Sequence, residues 1–340
     1  MPETKVPTIF RKSYMQVTLL LGVIIFLVAC PDSGNIPIHK VGIVLFGDSR
    51  QPQVNGFKEG MEQLGYKDGK QISYIVHNAK NDRSKLMSFV SKLSKQDVKL
   101  MVAAGGLEAD TMKKIVSGKG IPVVVLYINA ITERGLVESR RNPGWEVTGV
   151  DNLNAELSGK RIELLKELVP GIRKILILYY AKIAPSRIGA EQAQQIASKY
   201  GLEIDALAVN SREEVERVMT NLQIGDVDAM LTVPTAPIDN ALKDIILPNL
   251  ERLHIPLMTH SRSLAEIGAL ASYGANFYDM GVQSARLADK ILQGIKPSSI
   301  PFETPKQFVY TVNQDVVNSL DLKLNDISLS QINEYVKTVK

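Results

Sequence analysis

The sequence predicts an α/β protein built as two doubly wound, parallel-sheet lobes. Three observations predict it. Short runs rich in Val, Ile and Leu alternate with stretches of helical spacing. The short runs are apolar throughout, as in parallel strands covered on both faces. The alternation occurs twice, with a break near residues 142–152, and 340 residues suit about two domains.

The first round opens with a strand at 41–46. A helix over 53–64 follows, ended by Gly65. Then come a strand at 72–76, a helix at 84–93, a strand at 100–104 ending in Gly105-Gly106, a helix at 109–116 and a strand at 122–127. Asn142-Pro143-Gly144-Trp145 reads as a turn. The second round begins with a helix at 155–168, stopped by Pro170-Gly171. It continues with a strand at 174–179, a helix at 186–200 capped by Gly201 and a strand at 202–209. A helix at 213–222 is preceded by Ser211, with Glu214 three residues on as its capping-box partner. A strand at 229–233, a helix at 238–253 and strands at 256–258 and 269–272 complete the round.

The first thirty residues read as an address. Lys5, Arg11 and Lys12 precede the apolar run 17–29, which is too short to span a bilayer and has the length of a signal-peptide core. It ends in Leu27-Val28-Ala29-Cys30, which resembles the bacterial lipobox. The resemblance implies cleavage before Cys30 and diacylglycerol on its thiol, hence a lipid-anchored protein on the extracytoplasmic face of the cell membrane. Residues 31–37 then form a tether.

Composition excludes several classes. Basic residues number 40 and acidic residues 36, a net charge of +4. Without residues 1–29 the count is 37 against 35, too even to argue for nucleic acid. Cys30 is the single cysteine, so no internal disulfide and no cysteine-based metal cluster is expected. His39, His77, His254 and His260 lack metal-ligand spacing. Gly105-Gly106 lacks the third glycine of a dinucleotide fingerprint, and Ser117-Gly118-Lys119-Gly120 is not a P-loop. No cofactor, no metal and no catalytic residue is expected.

Ligands of open parallel sheets bind beyond the carboxyl ends of the strands. The candidates are therefore the strand tips: Asp48, Ser49 and Arg50, then Gly105 and Gly106, then Asn129 in the first lobe, and Tyr180, Thr235, His260 and Tyr273 in the second. Arg50 suits an anionic group and Asp48 an ammonium. Asp48 and Ser49 also suit capping of the following helix. The two glycines suit a tight turn as well as close ligand approach. Tyr273, like Tyr278, suits stacking on a ligand ring or packing between lobes. His260 reads as a loop histidine, with no nucleophile or acid partner to make it catalytic. Trp145 reads as a packing residue.

Several stretches then add up. They are Gly56-Phe57-Lys58-Glu59-Gly60, Leu64-Gly65-Tyr66, Asn142-Pro143-Gly144, Val147-Thr148-Gly149-Val150, Leu168-Val169-Pro170-Gly171, Ala271-Ser272-Tyr273-Gly274, Tyr278-Asp279-Met280-Gly281 and Lys290-Ile291-Leu292-Gln293-Gly294. Together they resemble the ABC transporter substrate-binding proteins of the TrpX type, which have the type I periplasmic binding protein fold. The likeness runs from about residue 40 to 325. It implies two Rossmann-like lobes joined by three crossovers: 38–150 with 273–305, and 151–272 with 306–340. It also implies a small polar solute, an amino acid or related carboxylate, held between the lobes by hinge closure and passed to a permease. A monomer that is not an enzyme is expected. The tips depart from the family pattern at Gly105-Gly106-Leu107, Asn129-Ala130 and Ala181, so the resemblance carries the fold and not the solute. Two other readings stay open: a sensor signalling to a membrane partner, and a cell-surface enzyme on the same fold.

Overall fold

The computed structural model describes residues 38–339; the signal segment, Cys30 and the tether lie outside them. The first sheet holds β1 (His39–Leu45), β2 (Ile72–Asn78), β3 (Leu100–Ala103), β4 (Val123–Ile128) and β5 (Val147–Asp151), all parallel, in the order β2-β1-β3-β4-β5. Its unbroken apolar runs have a direct cause. In β1, Val41, Ile43 and Leu45 enter the core on one face and Val44 the core on the other. In β4, Val124 and Leu126 take the first face, Val123 and Val125 the second. A strand with helices on both sides has no solvent face, so every position is apolar. Each such side chain contributes about 1.5–3 kcal/mol by burial.

The second sheet is built the same way around β6 (Lys174–Tyr179), where Ile175 and Ile177 face one core and Leu176 and Leu178 the other. With β7 (Glu203–Ala208), β8 (Ala229–Thr232), β9 (Leu257–Thr259), β10 (Ala271–Gly274), β11 (Val309–Asn313) and β12 (Glu334–Val336) it runs in the order β12-β11-β10-β9-β8-β6-β7. All neighbours are parallel except β10 and β11. The structure thus has the two α/β parallel-sheet lobes read from the sequence.

Two helices join the lobes' histories. Helix α1 (Gln51–Gln63) follows β1, and α10 (Phe277–Leu292) follows β10, yet the two pack on each other in the first lobe. Glycines let them approach. A Cβ at Gly56 would collide with the Tyr278 carbonyl, and one at Gly281 with the Gln53 carbonyl. A Cβ at Gly60 would stand 2.7 Å from the Ala285 methyl. The glycine-bearing stretches 56–60 and 278–281 are therefore two halves of one helix contact.

Three crossovers connect the lobes. The first is Asn152–Asn154, between β5 and α4 (Ser158–Leu168). The second follows Gly274. The third passes Glu303, whose backbone pairs with β5 as a short added strand: Asp151 N–H donates to the Glu303 carbonyl at 2.8 Å and Glu303 N–H to the Gly149 carbonyl at 2.9 Å.

The structure also corrects local expectations. The helix read over 238–253 is broken: α7 (Ala236–Ala241) passes through a wide π turn, Leu242–Ile246, into α8 (Leu247–Leu253). Pro248 lacks an N–H for the ladder, which accounts for the break. The strand read at 269–272 sits two residues later, as β10. Ser211 accepts from the Glu214 N–H at 3.2 Å, but the Glu214 carboxylate accepts from the Asn210 N–H, so the return bond of a capping box falls one residue early. Trp145 is buried, and its Nε1 donates to the Leu136 carbonyl at 2.9 Å.

Candidate ligand cleft at the strand tips

Arg50 is the organising cation on the first lobe. It ends the short turn Asp48–Arg50 that leads from β1 into α1. Its Nη1 donates to the Tyr127 hydroxyl at 2.9 Å, and its guanidinium carbon stands 4.9 Å from that ring's centre. Its Nε lies 3.7 Å from Glu108 Oε1. Burial pulls the Arg50 pKa down, but Tyr127, Glu108 and Asp239 outweigh it and hold the group charged. Gly105 makes this placement possible, since a Cβ there would sit 3.0 Å from Arg50 Nε and 3.2 Å from Glu108 Oε2. Its backbone is extended, so the glycine serves close approach rather than an unusual turn. Gly106 opens α3 (Gly106–Val116) with its Cβ position 3.1 Å from Arg134 Nη2, which itself pairs with Asp110.

Glu108 stands in the first turn of α3 and is fully buried. Its Oε1 accepts from the Phe46 N–H at 2.8 Å, while Oε2 finds no partner among the described residues. Gln53 is also fully buried; its amide donates to the Ala104 carbonyl at 3.1 Å and its Oε1 is unpartnered among the described residues.

Asp239 is the organising acid on the second lobe, in the first turn of α7. Burial pushes its carboxyl up to about 8, against a downward pull from Arg50. Arg50 and Asp239 thus influence each other's charge although they follow strands of different sheets. The Asp239 side chain keeps 27% of its exposure, so it lines a partly open space rather than the core. His260 Nε2 lies 3.5 Å from Asp239 Oδ2. Burial, assisted by the Arg161 charge, holds His260 down to about 3, so the imidazole is neutral and the contact is not an ion pair. Asp239 Oδ1, His260 Nδ1, Thr235 Oγ1 and Asn152 Nδ2 are all buried atoms without a partner among the described residues. Buried polar atoms are nearly always satisfied, so a cluster of unsatisfied ones on facing strand tips is a place for a polar solute.

The sequence-predicted candidates fall into two groups. Gly105 stands against Arg50 at the first-lobe tips with Gly106 beside it, while Thr235 and His260 stand against Asp239 at the second-lobe tips. Asn129 is half-buried at the end of β4, and Tyr180 packs against the second-lobe core with its N–H on Ser186 Oγ. Asp48 lies elsewhere. It accepts from Asn78 Nδ2 at 2.7 Å and Lys80 Nζ at 2.9 Å, with 74% of its side chain exposed, and these bonds hold its pKa below the ordinary value. Neither Asp48 nor the exposed Ser49 gives a capping bond to the following helix. The Tyr273 ring packs against Phe308 at 5.8 Å and Tyr310 at 6.5 Å. Glu108, Tyr127, Asn152 and Asp239 were not singled out from sequence. Each stands within a few residues of a strand end, and that position is the only signal they give.

Comparison with known proteins gives the family of the chain. A family model described as ABC transporter substrate binding protein matches residues 40–336. The chain is 28% identical over 289 residues to a tyrosine-binding protein of Clostridioides difficile, covering 84% of this chain and 82% of that one. Among solved structures, an ABC domain from Streptococcus pneumoniae in complex with L-Trp superposes with a TM-score of 0.80 at 24% identity, covering 88% of this chain and all of that one. The ligand-free, open structure of a substrate-binding protein with adhesive properties from Clostridium difficile superposes with a TM-score of 0.72 at 26% identity, covering 89% of this chain and 100% of that one. With its two parallel-sheet lobes and a polar cluster at their strand tips, the chain belongs to the ABC transporter substrate-binding protein family.

Proposed function

We propose that this protein is the solute receptor of an ABC importer, held by lipid on Cys30 at the extracytoplasmic face of the membrane. Its solute is an amino acid or a related small carboxylate, bound in the cleft between the lobes. The observation that carries the reading is the set of buried polar atoms without partners among the described residues at the strand tips, Glu108 Oε2 and Arg50 Nε on the first lobe and Thr235 Oγ1, Asp239 Oδ1 and His260 Nδ1 on the second. An apolar solute would leave those atoms unsatisfied, at about 1–3 kcal/mol each. The tyrosine-binding relative and the tryptophan-bound neighbour support an amino acid among the possible polar solutes.

The mechanism follows from the crossovers. Three short segments join two rigid lobes, which suits hinge bending. A solute that touches both lobes binds the closed form better than the open one and shifts the equilibrium toward it. The closed form then presents surfaces of both lobes to the permease. No bond is made or broken. Calorimetry and thermal shift with a panel of common amino acids test this reading. At least one is expected to bind and to raise the melting temperature by mass action. A panel without any binder would refute it.

A further inference from the structure

We propose that the first crossover is a latched hinge. Leu153 is its strained rotor, and Arg140, by pairing with Glu156 across that rotor, is the latch that holds the lobes at the angle seen here. This rests on the solute-receptor reading above and adds to it a pair of residues that set affinity without touching solute.

Leu153 stands in the left-handed region, with φ of 56°. Residues with a Cβ rarely adopt it, and leucine has no polar side-chain group to stabilise it locally. Such a backbone persists only where its surroundings hold it. Here both neighbours are anchored. Asp151 ends β5, its Oδ1 accepts from the Leu153 N–H at 3.3 Å and its Oδ2 accepts from Arg140 Nε at 2.6 Å. Asn154 is gripped by Arg161 of α4, whose Nη1 and Nη2 donate to its carbonyl and its Oδ1. The chain therefore turns at the residues between these two anchors.

Arg140 comes from the loop between β4 and β5, and its carbonyl accepts from the Phe302 N–H, beside the third crossover, at 2.8 Å. Its Nη2 donates to Glu156 Oε1 at 2.7 Å, in the turn that precedes α4. Among the described residues this is the one ion pair that runs from the first-sheet loops to the elements of the second sheet. Asp151 is wholly buried and precedes Leu153, so Arg140 stays with it when the hinge turns. Glu156 follows Leu153, is partly exposed, and its Oε2 has no partner among the described residues. Rotation at Leu153 thus carries Glu156 away from Arg140. A partly exposed pair is weak enough to break and re-form. Strain at Leu153 favours leaving this conformation, and the Arg140–Glu156 pair opposes it. Apparent affinity scales with the fraction of molecules in the binding-competent conformation, so both reach the solute through that fraction.

The test compares two variants of opposite sign. Glu156→Gln releases the latch, while Leu153→Asn places at the rotor a residue that accepts the left-handed region, with Leu153→Gly as its duplicate. Lys85→Cys and Lys182→Cys, at exposed positions beside the first and second sheets, carry spin labels in the Cys30→Ser chain. Pulsed electron resonance reads the distance between the labels without solute, and circular dichroism establishes folding. Glu156→Gln and Leu153→Asn are expected to move the distance distribution in opposite directions, each changing the ratio of conformers by about two- to fivefold. Affinity for L-tyrosine, or for the panel member that binds wild type most tightly, should also move in opposite directions and within those factors. A purely structural role would lower the melting temperature and leave the distances as in wild type. Wild-type distances in both folded variants, or a shift of both in the same direction, overturn the proposal and leave the receptor reading standing. A panel without any binder overturns the receptor reading, and the distances still decide the hinge.

Discussion

Arg161 and Asn154 lock the hinge side of the cleft. Arg161, wholly buried on α4, donates from Nη1 to the Asn154 carbonyl at 2.6 Å and from Nη2 to Asn154 Oδ1 at 2.8 Å. Its Nε donates to the Tyr273 carbonyl at 2.8 Å, so one side chain ties the first crossover to the strand that enters the second. Burial drags its pKa down to about 9, still above neutrality, so the group stays charged. Arg161→Met is expected to lower stability by about 3 kcal/mol, because three acceptors lose their donor in a buried site. Chemical denaturation measures it; an unchanged midpoint would show that the hinge does not depend on this residue.

The contact between α1 and α10 should be intolerant of a single methyl group. Gly281→Ala puts a Cβ into the Gln53 carbonyl and is expected to cost about 1–3 kcal/mol. Gly171→Ala, where nothing lies within 4 Å, is the matched control and should be near neutral. Thermal melting separates the two. Equal melting points would mean that the two helices are not held this closely in solution.

The acid in the cleft makes a pH prediction with a definite sign. Asp239 has its folded pKa raised from 3.8 to about 8, so between those values the folded chain holds more protons than the unfolded one and stability falls as pH rises. His260, lowered from 6.5 to about 3, acts oppositely, but only below 6.5. Asp151, raised to about 6 by burial against the pull of Arg140, is spent below 6.5 as well. The window from pH 6.5 to 8 therefore isolates Asp239. The melting temperature of the solute-free protein should decline across it, and that of Asp239→Asn should lack this decline. Parallel curves would place the Asp239 carboxyl in water.

Cys30→Ser should release the protein from membranes, because the thiol is the proposed site of acylation and residues 38–339 contain no helix long and apolar enough to cross a bilayer. Fractionation and immunoblotting read it. A variant that stays with the membrane would refute the lipid anchor.

Much of the fold was legible because both sheets are parallel and doubly covered. The central residues of β1, β4 and β6 are buried on one face or the other, so their sequences carry an apolar signature. The edges were harder. β5 carries Thr148 and Gly149 within Val147–Asp151, and β12 is three residues long, so neither makes an apolar run. The break at 242–246 depended on a single proline within an otherwise helical pattern. In the candidate site, the strand-tip rule singles out Arg50, Thr235 and His260, whose surroundings hold the unpartnered buried atoms. It missed Asp239 and Glu108 because a polar residue in the first turn of a helix looks like ordinary dipole compensation. It also singles out Asp48, whose partners Asn78 and Lys80 come from a neighbouring strand end and cannot be read from local spacing.

The most direct measurement is a crystal structure grown with L-tyrosine, or with whichever amino acid binds most tightly. The solute should lie between the lobes, within hydrogen-bond reach of the unpartnered polar atoms at the strand tips of each. An empty cleft beside a solute bound on the outer surface, for instance in the groove lined by Gly60, Asn276 and Arg286, would contradict the account.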